Sequence, residues 1–367
     1  MTRTGKVFVT GATGLIGGQV LARLLSARPV LRAYVLVRDP ARWLSHASRL
    51  GIDPARVVPV RGDLRLPGLG LDRATRDRIT QRLDAVVHAA AATSFSQRIE
   101  DARGVNVAGT RRVLALASEA RRPVRFAFVS TAFVAGRRTG RIAEMDGGAR
   151  LGWVNAYEQS KAEAEAVVTD AAPDRVIFRP STVVCDGPDG QVSQYNAVHR
   201  ALRLCWHGRA PMLPSAPGAT VDVVTADYVA DAIAALALRD DVRNRTIHLC
   251  AGTASLPLDE LVTICWRVWS RDEAWRRRTV EPPALATLET YRLFERSVLD
   301  TADEGLRRVV GSLSHFAPQL ALPKTFDTAT ADALLGRAAL PVRSYWPRLV
   351  EHLAATGWSA RRMRRAA

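Results

Sequence analysis

Hydrophobic and polar positions in the first half of the chain follow two alternating periods. Short runs rich in β-branched residues, such as 6–10, 31–37 and 124–130, are typical of buried strands. Longer stretches such as 41–50 and 106–120 carry apolar residues three or four positions apart, which is typical of helices. Strands that alternate with helices predict a parallel sheet covered on both faces. The pattern therefore predicts an α/β fold with a doubly wound parallel sheet.

The pattern changes after residue 185. Glycine and proline are frequent in 186–220, which predicts loops with one helix over 196–207. Beyond residue 255 the spacing is mostly helical and arginine is frequent. The predicted organisation is a sheet domain of residues 1–185 to which 221–250 return, a smaller and mostly helical C-terminal region formed by 186–220 and 251–350, and a basic C-terminal tail, 351–367.

The formal net charge of +16 raises the question of a nucleic-acid partner. All but three of the 52 basic residues are arginines, and no run of arginines exceeds three. No zinc-finger or recognition-helix motif accompanies them. We therefore expect no nucleic acid, and the charge fits an acidic substrate or a phosphorylated cofactor better.

Cysteine spacing and hydropathy indicate the cellular compartment in which the protein is expected. The four cysteines lie far apart without CxxC spacing, so we expect neither a metal site nor disulfides. No apolar run reaches the roughly 18 residues that span a bilayer. These features predict a cytoplasmic protein without stable membrane insertion.

The chain opens with a glycine-rich turn between a strand and a helix, "GATGLIG". Gly11 permits a sharp turn, Gly14 lets the backbone approach a pyrophosphate, and Gly17 lets the helix pack closely on the strand. The free N–H groups of the helix N-terminus favour phosphates. This spacing predicts a Rossmann dinucleotide-binding domain, in which the other turn residues Thr13, Leu15 and Ile16 are also expected to contact the cofactor.

The end of the second strand predicts the cofactor type. Arg38 suits the 2′-phosphate of NADP, and Arg49 could join it from the following helix. Asp39, next to Arg38, keeps NADH open as the less favoured cofactor. Asp63 and Leu64 follow the third strand, where they could contact the adenine. The alternatives are a solvated Arg38 and a simple turn role for Asp63.

Tyr157 and Lys161 are four residues apart in "YEQSK" and so lie on one face of a helix. An ammonium beside a phenol lowers the phenol's pKa, which prepares it to exchange a proton with a carbonyl oxygen. The same lysine could reach the nicotinamide ribose. Because the chain has only six tyrosines and three lysines, this pairing is not expected by chance.

Hydroxyl groups are predicted near this pair. Ser130 and Thr131 end the strand over 124–130, and side chains at the carboxyl end of a parallel strand face the ligand crevice. Asn106 could order backbone or water near Lys161, although a structural role in its helix is an equal alternative.

Together these residues resemble the extended short-chain dehydrogenase/reductase superfamily over about the first 250 residues. The resemblance implies catalytic roles for Asn106, Thr131, Tyr157 and Lys161, with Thr131 aligning better than Ser130 with the family's hydroxyl. It also implies cofactor roles that fall on Gly11, Gly14, Gly17, Asp63, Ala89, Ala90, Lys161, Pro180 and Ser181.

Four stretches, 62–71, 86–97, 130–144 and 221–233, resemble specifically the thioester reductase and fatty acyl-CoA reductase branch. The resemblance implies that NADPH reduces an acyl thioester, carried by coenzyme A or an acyl carrier protein, to an aldehyde. A second reduction to the alcohol stays open. Ser130, Phe133 and Trp153 are the expected substrate contacts, with core packing as the alternative for Trp153. A monomer or homodimer is expected.

Two other interpretations stay open at this point. The same scaffold could serve a sugar-nucleotide epimerase or dehydratase, or a ketone or steroid reductase. A non-catalytic NADP-sensing regulator is an alternative of another class, but the presence of both Tyr157 and Lys161 argues against it.

Overall fold

The computed structural model describes residues 5–145, 151–300 and 304–358. The end of the predicted basic tail, 359–367, lies outside these residues. None of the helices in the described part of the chain has the length and apolar composition that crossing a bilayer requires.

The described residues contain fifteen strands, most of them short. In chain order they are β1 Lys6–Thr10, β2 Arg32–Val37, β3 Val57–Arg61, β4 Ala85–His88, β5 Arg125–Val129, β6 Gly140–Ile142, β7 Arg175–Pro180, β8 Thr182–Cys185, β9 Met212–Pro214, β10 Thr220–Val221, β11 Val223–Thr225, β12 Arg245–Leu249, β13 Leu256–Pro257, β14 Ala284–Ala286 and β15 Lys324–Phe326.

Fourteen α-helices lie in the same residues. They are α1 Leu15–Ala27, α2 Pro40–Arg49, α3 Arg73–Thr80, α4 Ile99–Asn106, α5 Ala108–Ser118, α6 Ala156–Ala171, α7 Ala197–Trp206, α8 Ala226–Leu236, α9 Leu258–Trp269, α10 Glu273–Arg276, α11 Leu288–Asp300, α12 Glu304–Leu313, α13 Ala329–Leu335 and α14 Val342–Ala355.

Seven strands form one parallel sheet in the order β12-β7-β5-β4-β1-β2-β3. Successive residues of β1 serve opposite faces, since Val7 and Val9 join one buried cluster and Phe8 joins the other. Helices cover both faces, which is why the central strands β1, β4 and β5 are buried along almost their whole length rather than alternating. The predicted doubly wound α/β fold is confirmed.

The mostly helical C-terminal region is tied to the sheet domain by short strands that the sequence did not predict. Strand β15 pairs in parallel with β6, and β11 pairs in parallel with β8. These pairs join residues forty or more positions apart, and their lengths of three or four residues leave no recognisable period. The pair of β15 and β6 attaches the C-terminal region to the sheet domain, whereas β11 and β8 both belong to the sheet domain.

The predicted start of the tail at residue 351 was wrong. Helix α14 continues to Ala355, because Leu349, Val350 and Leu353 are fully buried on one of its faces. Trp358, beyond the helix, is also buried. An apolar spacing of three and four residues thus extends the helix beyond the predicted boundary.

Candidate active site

A cleft of about 890 Å³ opens at the carboxyl ends of the central strands. Strands β1 and β4 lie side by side there, and their connections run to opposite faces of the sheet, so a crevice forms between the loops. Most of the predicted site residues line it, namely Gly11, Thr13, Gly14, Leu15, Ile16, Gly17, Arg38, Asp63, Leu64, Ala89, Ala90, Ser130, Thr131, Phe133, Tyr157, Lys161, Pro180 and Ser181.

The glycine turn leaves room for a ligand because side chains are excluded from it. Gly11 has a φ of 77°, and a Cβ there would lie 2.5 Å from the backbone nitrogen of Ala90. A Cβ on Gly17 would collide with the carbonyl oxygen of Gly11. Gly14 is the N-cap of α1 and provides no capping side chain, so the first N–H groups of the helix face the cleft. This arrangement fits the pyrophosphate of a dinucleotide.

Charged residues line the end of the cleft where the sequence predicts the adenosine. Arg38 is exposed there, and the carboxylate of Asp63 accepts a hydrogen bond of 2.7 Å from Arg65. This bond lowers the pKa of Asp63. Sequence reasoning missed Arg65, which reaches Asp63 across a turn of two residues. Asp39 does not line the cleft, because its side chain caps α2 by accepting from the backbone nitrogens of Ala41 and Arg42.

Arg49 does not lie where the sequence predicted. Its guanidinium donates to the carbonyl oxygen of Ser45 and contacts His46, both on its own helix α2. It is outside the cleft lining that contains Arg38. Arg38 precedes α2 and Arg49 is the last residue of α2, so the helix carries Arg49 away along its axis.

Tyr157 and Thr131 meet at the centre of the cleft. The Thr131 hydroxyl acts to lower the pKa of the Tyr157 phenol, and the Tyr157 ring packs against Phe95 with ring centroids 5.6 Å apart. Burial raises the pKa of Tyr157 to about 12, which outweighs the lowering effect of Thr131. The phenol is therefore protonated near neutral pH and available as a hydrogen-bond donor.

Lys161 is buried one helical turn further along α6. Its Nζ donates to the carbonyl oxygen of Val129 at 2.7 Å and lies 4.0 Å from the centroid of the Phe128 ring. Burial lowers the pKa of Lys161 to about 7. The expected lowering of the Tyr157 pKa by this ammonium is not observed, because desolvation dominates the pKa of the phenol.

Two predicted residues stand behind the cleft wall rather than on it. Asn106 accepts from the backbone nitrogen of Ala92 at 2.8 Å and donates to Ser160 at 2.9 Å. It therefore holds the loop after β4 against helix α6. Trp153 donates from Nε1 to the carbonyl oxygen of Val134 at 3.2 Å, as its packing alternative predicted.

A buried histidine that sequence reasoning missed continues this network. His88 lies between the hydroxyls of Thr10 and Thr110, at 2.6 and 2.9 Å, and Thr110 donates to the carbonyl oxygen of Asn106. Burial lowers the pKa of His88 to about 3, so the ring is neutral. The network links the strand before the glycine turn to the helix that carries Tyr157. A lone histidine at the end of an apolar run is the only trace of it in the sequence.

The wall opposite the glycine turn is largely apolar. It contains Phe95, Phe133, Tyr195, Phe316 and Leu320. The Ser130 hydroxyl is buried and has no hydrogen-bond partner among the residues that the structure describes. The wall combines segments from the first, middle and last thirds of the chain.

Comparison with known proteins assigns the family. A model of the male sterility protein family matches residues 9–233, which contain the glycine turn, Thr131, Tyr157 and Lys161. The chain belongs to this family of NAD(P)-binding domains. The resemblance to the thioester reductase and fatty acyl-CoA reductase branch of the extended short-chain dehydrogenases/reductases is confirmed.

The chain has named relatives among reductases and multidomain synthetases. It is 27% identical over 224 residues to the fatty acyl-CoA reductase wat of Drosophila melanogaster, covering 48% of the chain and 43% of the relative. It is 30% identical over 256 residues to the nonribosomal peptide synthetase cpsA of Aspergillus campestris, covering 62% of the chain and 24% of the relative. The chain thus spans less than half of either relative.

A solved structure matches over nearly its full length. The terminal R domain from the myxalamid PKS-NRPS biosynthetic pathway superposes with a TM-score of 0.79 at 26% identity, covering 97% of this chain and 92% of that domain. The likeness includes the C-terminal region beyond residue 233, where the family match ends. The male sterility family fold and its C-terminal extension therefore occur together in a reductase domain.

Proposed function

We propose that this protein reduces acyl thioesters to aldehydes with NADPH, releasing the thiol of coenzyme A or of a carrier-protein phosphopantetheine arm. The observation that carries the proposal is that Thr131 and Tyr157 line the same cleft as the glycine turn. The named reductases among the relatives support it.

The residues of the cleft have distinct roles in this reaction. A reduced dinucleotide, when held by the glycine turn, would supply a hydride. Tyr157 and Thr131 donate hydrogen bonds to the thioester carbonyl oxygen, where negative charge develops, and Tyr157 supplies the proton that completes the hemithioacetal. The raised pKa of Tyr157 suits this donor role, because the phenol holds its proton until the oxygen becomes basic. The hemithioacetal then collapses to aldehyde and thiol.

Lys161 acts as a positioning residue in this scheme. Its bond to the Val129 carbonyl joins helix α6 to the end of β5, directly before Ser130 and Thr131. The two hydroxyl-bearing segments are thus fixed relative to each other. When the cofactor is bound, the same ammonium could donate to the nicotinamide ribose, as the family resemblance implies.

NADPH is the proposed cofactor because Arg38 is exposed and lines the end of the cleft where the adenosine is expected. Asp39, the residue that would favour NADH, is engaged in capping α2. A guanidinium is the side chain best suited to a phosphate monoester.

The proposal is tested by following NADPH oxidation against a panel of acyl-CoA and acyl-carrier thioesters, with the products identified by mass spectrometry. We expect thioester-dependent oxidation and equal amounts of aldehyde and free thiol. Absence of oxidation with every thioester would contradict the proposal. Interconversion of a nucleotide sugar without net NADPH consumption would favour the epimerase alternative instead.

A further inference from the structure

Three polar residues from distant parts of the chain meet beside Tyr157. Glu158 follows Tyr157 on helix α6, Gln319 lies in a 3-10 helical segment, Ala317–Ala321, and Lys324 begins strand β15. Gln319 donates from Nε2 to Glu158 at 2.8 Å and accepts from the Lys324 ammonium at 3.0 Å. We call these three residues the carboxylate–amide–ammonium relay.

The relay is buried at both ends. Glu158 and Lys324 are 2% and 5% exposed. The Glu158 carboxylate also accepts from the backbone nitrogen of Val154, and the Lys324 ammonium donates to the carbonyl oxygen of Gly136 at 2.6 Å. Burying two charges this far is costly unless both are hydrogen-bonded, and here the amide of Gln319 serves each of them.

The choice of lysine at position 324 is informative in this chain. Arginine fills all but three of the 52 basic positions. Two of the three lysines, Lys161 and Lys324, are buried and donate to backbone carbonyls beside the cleft. A compact ammonium fits where a planar guanidinium does not. Lys324 thus occupies a position with a specific steric demand, comparable to that of Lys161.

The relay holds one wall of the cleft. Phe316, Gln319 and Leu320 line the cleft, and the segment that carries them is attached to the start of α6 by a second bond, from Asn155 to the carbonyl oxygen of His315. Beyond the segment, β15 pairs with β6. The apolar side chains of Phe316 and Leu320 are therefore held at a set distance from the helix that carries Tyr157.

We propose that Glu158, Gln319 and Lys324 determine acyl specificity, by fixing the Ala317–Ala321 segment as the wall that the acyl chain meets next to Tyr157. The inference rests on the proposed thioester reduction and adds the residues that select its substrate. Glu158 and Lys324 act as positioning residues through Gln319.

Loss of the relay should change which acyl chains are accepted more than it changes cofactor binding. Gln319→Met keeps the side-chain length but removes both relay bonds. Glu158→Gln keeps the side-chain shape but replaces an acceptor oxygen with an amide donor. That donor cannot accept the hydrogen bond from the Gln319 amide. In both variants the wall moves relative to Tyr157, and a pocket change of one methylene alters discrimination by about tenfold or more.

The experiment compares kcat/KM for short and long acyl thioesters in the wild type, Gln319→Met and Glu158→Gln. The matched control is Glu163→Gln, since Glu163 is on the same helix but pairs with Arg103 at the surface. We expect the long-to-short ratio to change by about fivefold or more in the relay variants only, with the Kd for NADPH unchanged. A uniform loss for all chain lengths, or an unchanged ratio, would overturn the proposal.

A second measurement does not depend on turnover. Hydrogen exchange of residues 315–324 should be about fivefold faster or more in the relay variants than in the wild type and Glu163→Gln, because opening of the wall becomes easier. If no thioester is reduced by the wild type but exchange accelerates, the proposed function fails while the wall assignment stands. If exchange is unchanged in Glu158→Gln, which preserves side-chain shape, the relay does not fix the wall.

Discussion

In the proposed reduction, Tyr157 acts as a protonated phenol and not as a phenolate. Its pKa is raised to about 12 by burial, so the donor is fully protonated at neutral pH. We predict that Tyr157→Phe lowers kcat by about 10² or more, because the developing oxyanion loses an oriented donor and its proton source. The Kd for NADPH should not change, which fluorescence titration checks. A variant with wild-type turnover would remove Tyr157 from the mechanism.

Two arginines, one just before helix α2 and one at its end, provide a test of cofactor choice. Arg38 lines the cleft whereas Arg49 bonds to its own helix. Arg38→Ala should raise the Kd for NADPH by about 10- to 100-fold and leave that for NADH nearly unchanged, since a charge-assisted hydrogen bond is lost. Arg49→Ala is the matched comparison and should behave as wild type in the same titration. Equal effects of the two substitutions would reject the assignment to Arg38.

At the scale of elements, the junction of β1 and α1 depends on the absence of a side chain at Gly17. A Cβ at Gly17 would collide with the carbonyl oxygen of Gly11, whereas a Cβ at Gly104, inside α4, meets nothing within 4 Å. We predict that Gly17→Ala destabilises the fold by about 1–3 kcal/mol and weakens dinucleotide binding. Gly104→Ala should stabilise by about 0.5–1 kcal/mol. Chemical denaturation of both variants measures the contrast, and a neutral Gly17→Ala would contradict the close-packed turn.

The same scale explains what the sequence could predict. Strand and helix order, the glycine turn and the Tyr157–Lys161 spacing are local patterns in the sequence. The structure places the glycine turn, Tyr157 and Lys161 at the cleft. The His88 network and the pairing of β15 with β6 join residues far apart in sequence, where no short period exists. The direction in which a helix runs also could not be predicted from the sequence. The helix periodicity of α2 was visible, but the outward path that separates Arg49 from Arg38 required the position of the whole helix.

At the scale of the whole molecule, buried histidines set a limit on acid stability. Burial lowers the pKa of His88 to about 3 and that of His199 to about 4. Between these values and the unfolded pKa of about 6.5, the unfolded chain binds more protons, so the free energy of unfolding falls as pH falls. We predict a steady loss of thermal stability below about pH 6.5.

Thermal unfolding between neutral and mildly acidic pH checks this prediction. His199→Gln should flatten the pH dependence even if it lowers the Tm at neutral pH, because one proton-linked group is removed. His315→Asn replaces an exposed imidazole and should retain the wild-type slope. A slope that is the same in all three proteins would show that carboxylates, not buried imidazoles, control acid unfolding.

The order of strands in the large sheet has a consequence during synthesis. Strand β12 closes the edge beside β7, yet all of 181–244 is translated between them. At about 5–20 residues per second, the ribosome needs roughly 3–13 s for that interval. Throughout it, the nascent β7 offers unpaired backbone groups to any neighbouring chain. A message truncated before β12 would therefore yield an aggregation-prone product, although every residue of the glycine turn, Thr131, Tyr157 and Lys161 had already been made.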